Sequence, residues 1–224
     1  MQSLAAVVLD MDGLLIDTEP LYKESWQLTA RELGFDLTDR FYETLVGRNN
    51  PESEAAIACE LGSAFPIDTF RARWPAVWRE RAARDGLPVK PGATELLDFL
   101  NARRVPVALA TSSDREFTQF TLVAAGLADR LLLRVTGEEV ARGKPAPDIY
   151  REAARRLGVP GSSCVACEDS EAGTLSASGA GMRVLLVPDI QPPSPAAVRT
   201  AAAVLSSLHE AVPVLARWLD ESGD

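Results

Sequence analysis

The sequence is poor in histidine and cysteine. It contains one histidine, His209, and three cysteines, Cys59, Cys164 and Cys167. So few cysteines, in odd number, cannot form the disulfide framework of a small secreted protein, which predicts a reducing compartment. The pair in CVAC is half of a zinc or redox pattern, but no second pair accompanies it. Since residues three apart on a strand point to opposite faces, we interpret this pair as packed core thiols.

Long apolar runs and clusters of basic residues are also missing. No apolar run reaches the roughly 20 residues of a membrane helix, and the run at 4–9 ends in Asp10 without the basic flank of a signal peptide. The chain has no stretch rich in lysine or arginine, and its formal net charge of -9 repels a nucleic-acid backbone. We therefore expect a cytoplasmic protein, with neither nucleic acid nor membrane as a partner.

Short apolar segments alternate along the chain with segments of helical period. The 224 residues are enough for one core and an accessory module. Because this alternation is typical of parallel strands joined by helices, the sequence predicts an α/β fold with a doubly wound, Rossmann-like sheet. The predicted strands are 4–9, 105–110, 131–135, 164–167, 182–187 and 202–205.

The stretch 17–89 interrupts this alternation. It contains helix signals at 20–33, at 51–61 and after Asp68, and no convincing strand. Pro75 predicts a kink or a boundary in the third helix. We therefore expect an inserted helical domain at 17–89 and a core domain formed by 1–16 and 90–224. Trp26, Trp74 and Trp78 fall at helical spacing and are expected in its core.

Two carboxylates follow the first predicted strand. Asp10 and Asp12 are two residues apart, so their side chains start from the same face of the chain. They repel each other unless a hard divalent cation or a shared proton lies between them. Gly13 allows a sharp turn directly afterwards.

Polar residues also follow other predicted strands, and ligands of doubly wound sheets bind at the carboxyl ends of the strands. Lys144 stands in a Gly-Lys-Pro loop, where its ammonium could balance the charge of carboxylates and phosphate. Hydroxyls, turn amides, a lysine and a metal are what a phosphoryl group requires. The strand-end residues are Thr111, Ser112, Ser113, Glu168, Asp169 and Ser170.

Four segments, in this order, resemble the motifs of the haloacid dehalogenase superfamily: DMDGLLIDTEP, ATSS, GKPAPDIY and EDSEAG. The subgroup they resemble carries a helical cap domain inserted after the first motif and includes β-phosphoglucomutase-like and sugar-phosphate phosphatase-like members. The resemblance covers almost the whole chain. It implies a Rossmann-like core, a cap domain at 17–89 and phosphatase activity.

The resemblance also implies catalytic roles for four residues. Asp10 matches the nucleophile that forms an aspartyl-phosphate. Asp12 matches the acid/base that protonates the leaving alcohol and then activates water. Thr111 matches the hydroxyl that binds the phosphoryl group, and Lys144 matches the lysine that pairs with both the nucleophile and the phosphate.

The implied cofactor is Mg²⁺. The matching metal ligands are the Asp10 carboxylate, the Asp12 backbone carbonyl and Asp169. Glu168 is a further ligand in some members of the family, directly or through water, and both possibilities stay open at this point.

The predicted substrate-binding residues are Ser112 and Ser113 in the core, and Glu19, Arg48 and Asn49 in the cap. Arg48 lies near the place where many capped relatives carry a basic residue that contacts the substrate. The mutases of the subgroup carry a histidine at the position of Tyr22. The absence of that histidine from this chain favours hydrolysis over isomerisation.

Together these features predict a magnesium-dependent phosphatase that acts on a small phosphorylated metabolite, such as a sugar or polyol phosphate, as a monomer. The alternative within the subgroup is a β-phosphoglucomutase-like phosphosugar mutase. Haloacid dehalogenation needs neither Asp12 nor magnesium, and a non-catalytic metabolite sensor would not need every catalytic position filled. Both are weaker hypotheses.

Overall fold

The computed structural model describes residues 4–45 and 50–221, without the side chains of residues 50 and 51. The described chain divides into two compact units. One contains the chain up to Asp17 and from Pro88 onward, and the other is Thr18–Leu87. The helices of the described chain, over both units, are α1 Glu19–Glu32, α2 Asp39–Tyr42, α3 Asn50–Leu61, α4 Ile67–Asp85, α5 Ala93–Ala102, α6 Arg115–Ala124, α7 Asp148–Leu157, α8 Glu171–Gly179, α9 Pro195–Thr200 and α10 Leu208–Asp220.

The first unit contains one parallel sheet. Within the described residues it has six strands, in the spatial order β3-β2-β1-β4-β5-β6. They are β1 Ala6–Leu9, β2 Val107–Ala110, β3 Arg134–Val135, β4 Cys164–Glu168, β5 Arg183–Leu186 and β6 Ala203–Val204. This order and the parallel pairing confirm the predicted α/β, doubly wound fold.

The two central strands are buried on both faces. Every residue of β1 and of β4 is buried, as expected of a parallel sheet that helices cover on both sides. Cys164 and Cys167 are buried thiols within β4 that form no disulfide. Burial raises the pKa of Cys164 to about 11. The outer strands β3 and β6 pair over only two residues each, which is shorter than the predicted 131–135 and 202–205. Edge strands have one neighbour, so fewer ladder hydrogen bonds define them.

The strand order creates a switch point between β1 and β4. From β1 the chain proceeds to β2 and β3 on one side, and it then crosses to β4 on the other side of β1. In doubly wound sheets, ligands bind in the crevice beyond the carboxyl ends of the strands at such a point. Asp10 follows the last residue of β1, and Glu168 is the last residue of β4.

In the second unit, the regular secondary structure of the described residues is all helical. Helices α1 and α4 pack against each other through aromatic rings: Trp26 lies 5.6 Å from Trp74 and 6.0 Å from Phe70 between ring centroids. Trp26, Trp74 and Trp78 are all buried, as predicted for core residues. Offset and edge-to-face aromatic pairs of this kind stabilise a small core beyond the area that they bury.

Pro75 does not end a helix. Helix α4 continues through it from Ile67 to Asp85, so a boundary at this position was the wrong expectation. Trp74, directly before Pro75, and Val77, two residues after it, are both buried. Tertiary packing of this face outweighs the hydrogen bond that proline removes.

The assignment of 1–16 with 90–224 to a core domain and of 17–89 to a cap domain with a catalytic role stays a prediction. None of the helices in the described ranges is long and apolar enough to cross a bilayer.

Candidate active site

Asp10 lies at the switch point, where its backbone N–H donates to the Cys167 carbonyl oxygen across 3.2 Å. This bond ties the end of β1 to β4 and directs the chain into a turn. Gly13 in that turn has a φ of +78°, and a Cβ there would lie 2.4 Å from Asp169 Oδ2. Glycine is therefore required both by the turn and by the close approach of the Asp169 carboxylate.

Lys144 joins the ends of the two central strands. Its Nζ donates to Asp10 Oδ1 and to Glu168 Oε1, the latter at 2.5 Å. The Lys144 side chain is 6% exposed and those of Asp10 and Glu168 are 9% and 0% exposed. Ion pairs that are this deeply buried are hardly screened by solvent.

Glu168 receives hydrogen bonds from several other groups. The Tyr150 hydroxyl donates to Oε1 across 2.6 Å, and the Ser170 hydroxyl donates to Oε2 across 2.9 Å. The backbone N–H groups of Asp169 and Ser170 donate to Oε2 at 3.2 and 3.3 Å. Helix α8 begins directly after these residues, so its N-terminus also favours a negative charge here.

Three carboxylates converge at this point. Asp10, Glu168 and Asp169 each offer an oxygen, and these oxygens all lie within 4.8 Å of one another. Lys144 pairs with two of these carboxylates, Asp10 and Glu168, so within the described residues the cluster carries more negative than positive charge. A hard divalent cation with oxygen ligands would neutralise the excess, and this donor set suits magnesium.

The pKa values reflect this excess of buried negative charge. Burial raises the pKa of Asp10 to about 8, with Lys144 opposing the shift and the charge of Glu168 adding to it. Burial and the neighbouring Asp10 hold the pKa of Asp169 well above its usual range. Burial also acts to raise the pKa of Glu168, but Lys144 outweighs it and the pKa is lowered. In this structure Glu168 is the fixed anion, and Asp10 and Asp169 are the groups that need a cation.

Thr111, Ser113 and Asp12 form a second polar chain at the carboxyl ends of β1 and β2. The Ser113 backbone N–H donates to Thr111 Oγ1, and the Ser113 hydroxyl donates to Asp12 Oδ2, both across 3.1 Å. Thr111 is buried, whereas Asp12 is half-buried. The Ser113 hydroxyl therefore orients the carboxylate that the sequence predicts as the acid/base.

A separate ion pair supports the turn on its other side. Lys90 Nζ contacts Asp189 Oδ1 at 2.5 Å and Asp17 Oδ1 at 3.6 Å. The second oxygen of Asp189 lies 3.1 Å from the position of a Cβ at Gly13, so this carboxylate lies beside the same turn as Asp169.

Most of the predicted core residues are brought together: Asp10, Asp12, Thr111, Ser113, Lys144, Glu168 and Asp169. Ser112, between Thr111 and Ser113 in the sequence, is exposed. Glu19 is in the helical unit, where it accepts a hydrogen bond from the Tyr42 hydroxyl. Arg48 and Asn49 lie outside the described residues, so their roles stay predictions.

Three residues at the site were not predicted from the sequence: Tyr150, Gly173 and Asp189. Tyr150 ends the GKPAPDIY segment and lies in the first turn of α7, fully buried, where an apolar residue would be expected. A Cβ at Gly173 would lie 1.8 Å from Glu168 Oε1, which explains a glycine inside the first turn of α8. The available signals were a tyrosine at the end of GKPAPDIY and a glycine at the end of EDSEAG.

Comparisons with known proteins agree with this geometry. Residues 4–181 match the family model of haloacid dehalogenase-like hydrolases. The phosphorylated carbohydrates phosphatase of Thermotoga maritima is 32% identical over 80% of this chain and 82% of its own length. The (DL)-glycerol-3-phosphatase 2 of Arabidopsis thaliana is 32% identical over 84% and 80%.

Among solved structures, one from Thermotoga maritima named "putative beta-phosphoglucomutase" superposes with a TM-score of 0.84. It covers 97% of this chain and 99% of its own, at 29% sequence identity.

Proposed function

Because the chain belongs to the haloacid dehalogenase-like hydrolases and is a phosphoric monoester hydrolase, we propose that it is a magnesium-dependent phosphatase that uses Asp10 as its nucleophile. The observation that carries this proposal is the position of Asp10. Its carboxylate is buried at the switch point, bound by Lys144 and within 4.8 Å of oxygens of Glu168 and Asp169. Such a carboxylate can attack a phosphorus atom that a cation and an ammonium hold nearby.

In the first half-reaction, an Asp10 oxygen bonds to phosphorus as the bond between phosphorus and the leaving alcohol breaks. Asp12 donates the proton that the alcohol needs. In the second half-reaction, Asp12 takes a proton from water, the water oxygen bonds to phosphorus, and the aspartyl-phosphate breaks to release Asp10 and inorganic phosphate. The hydrogen bond from Ser113 holds the Asp12 carboxylate in position for both proton transfers.

Lys144 is suited to stabilise the charge of the transferring phosphoryl group. Among the described residues it has two acceptors, Asp10 and Glu168, one fewer than its three N–H donors. The remaining N–H can donate to a phosphate oxygen. Asp10, Asp169 and the backbone carbonyl of Asp12 would hold Mg²⁺, with Glu168 as a further candidate. When bound, the cation supplies charge neutralisation between the carboxylates and the phosphate.

We further propose that the substrate is a small phosphorylated metabolite, in particular a sugar or polyol phosphate. Two relatives that are each 32% identical act, by name, on phosphorylated carbohydrates and on glycerol 3-phosphate. The mutase alternative is not favoured, because Tyr22 stands at the position where the mutases carry histidine. Its ring contacts those of Trp74 and Trp78, with centroids 5.7 and 5.6 Å away. A cytoplasmic location and a monomeric state belong to the same proposal.

The decisive variant is Asp10→Asn. Turnover of p-nitrophenyl phosphate and of a panel of sugar and polyol phosphates with Mg²⁺ should fall by about a thousandfold or more, because the amide is a far weaker nucleophile. The matched control is Asp114→Asn. Asp114 caps α6 through the Phe117 N–H, and asparagine caps a helix equally well, so this variant should keep its activity.

Two outcomes would contradict the proposal. Turnover that survives in Asp10→Asn would exclude Asp10 as the nucleophile. Interconversion of sugar phosphates with little release of inorganic phosphate would identify a mutase instead.

A further inference from the structure

Glu168 and Asp169 are neighbours in the sequence but differ in how many donors already surround them. Glu168 accepts five hydrogen bonds, from Lys144, Tyr150, the Ser170 hydroxyl and two backbone N–H groups. A carboxylate offers about four lone-pair positions. In the described part of the chain, no donor reaches the Asp169 carboxylate. Asp169 therefore has lone pairs available for a cation, and Glu168 has none.

The remaining side of Glu168 is closed by backbone. A Cβ on Gly173 would lie 1.8 Å from Oε1 and 2.1 Å from Oε2, so the Gly173 Cα packs directly against the carboxylate. For Glu168 to bind a cation, it would have to give up at least one of its buried donors. A buried donor that loses a charged acceptor is costly to leave unpaired.

Tyr150 is the donor that links Glu168 to Lys144. Its hydroxyl shares Oε1 with the Lys144 ammonium, and the same ammonium lies 5.2 Å from the centre of the Tyr150 ring. The tyrosine thus fixes the carboxylate through its hydroxyl and the cation through its ring face. It is fully buried, and Glu168 is the acceptor that it reaches in the described structure.

We propose that Tyr150 is a positioning residue, which holds Glu168 as the fixed counter-ion of Lys144 and keeps it from serving as a metal ligand. Glu168 then acts by aiming Lys144 at Asp10 and at the phosphoryl group. This inference rests on the proposed phosphatase function and deepens it, since it assigns the two acidic residues of EDSEAG to different tasks.

The assignment of Glu168 is tested by direct binding of Mn²⁺, followed by electron paramagnetic resonance without substrate. Asp169→Asn should weaken Mn²⁺ binding at least about tenfold more than Glu168→Gln, because only Asp169→Asn would replace a charged ligating carboxylate by a neutral amide. Equal or greater weakening in Glu168→Gln would overturn the proposal. This measurement needs no turnover, so it decides the role of Glu168 even if the wild-type protein hydrolyses none of the tested phosphate esters.

The role of Tyr150 is tested with Tyr150→Phe, which keeps the ring and removes the hydroxyl. We expect kcat to fall about tenfold, the effect of losing one hydrogen bond to a charged group, with a smaller change in KM and unchanged Mn²⁺ binding. In the Glu168→Gln background the same change should have little further effect, because the two residues act as one unit.

Thr118→Val serves as the matched control, since it removes a buried hydroxyl of α6 that donates to the Asp114 backbone carbonyl. It should leave kcat unchanged. A purely structural Tyr150 would give effects that multiply with Glu168→Gln, or a loss of kcat that Thr118→Val reproduces, and either result would overturn its positioning role.

Discussion

Gly13 shows how one residue meets two demands of the site. Its φ of +78° lies in the left-handed region, and the space that a side chain would need is filled by carboxylate oxygens of Asp169 and Asp189. A glycine in a turn is an ordinary observation. The approach of Asp169 to within 2.4 Å of the Cβ position makes this one part of the candidate metal site.

We expect Gly13→Ala to cost about 1–2 kcal/mol of folding free energy through its backbone conformation, and also to weaken divalent-cation binding because Asp169 must move. Gly158→Ala is the matched control: φ is +73° there, and nothing lies within 4 Å of its Cβ position. Chemical denaturation and Mn²⁺ titration of both variants separate the two effects. If both variants bind Mn²⁺ equally well, the Asp169 carboxylate does not depend on Gly13.

At the scale of elements, the N-terminus of α8 connects stability to the site. The Ser170 hydroxyl accepts from the Gly173 N–H, as an N-cap does, and donates to Glu168 Oε2. One hydroxyl therefore begins the helix and also holds the counter-ion of Lys144. The sheet places Asp10 beside Glu168, because β1 and β4 are hydrogen-bonded neighbours.

Ser170→Ala should lower the free energy of unfolding by about 1 kcal/mol through the lost cap, and also lower kcat by about fivefold through the lost donor to Glu168. Ser194→Ala removes an equivalent cap from α9, where Ser194 accepts from the Ala197 N–H. It should match the loss of stability and keep kcat. Equal kcat values in the two variants would show that the Ser170 hydroxyl serves α8 alone.

At the scale of the whole molecule, the buried charge of the site couples folding to pH and to cations. The pKa of Asp10 rises from about 4 in the unfolded chain to about 8 in the folded protein, mainly through burial. Between these values the folded state retains a proton that the unfolded state releases. The contribution of Asp10 to stability is therefore present at low pH and is lost as the pH rises through about 8.

Mg²⁺ should therefore raise the Tm of the EDTA-treated protein more at pH 8 than at pH 5. At pH 5 the cation must displace a proton from Asp10, whereas at pH 8 about half of the Asp10 carboxyl groups are already ionised. Differential scanning fluorimetry at both pH values measures this, with Asp169→Asn as the variant that should lose most of the Mg²⁺ effect. A larger Mg²⁺ effect at pH 5 would contradict this account of the charge.

How far the sequence predicted the site depended on whether a signal was local. The apolar runs and polar strand ends gave the sheet and the positions of Asp10, Thr111 and Asp169, because alternation and strand termini are visible within a few residues. Lys144 was predicted from its loop and from the family resemblance. The continuity of α4 through Pro75 was missed, because it depends on packing against α1.

By itself, the sequence determined the fold class, the family and the types of side chain that meet at the switch point. Only the tertiary structure decided how those side chains are paired. Lys144 is 134 residues from Asp10 and 24 from Glu168, and no local pattern says which carboxylate shares its ammonium or which retains lone pairs. These partnerships arise because the strand order places β4 beside β1, and because a buried lysine and a buried glutamate are stable there only when they are paired.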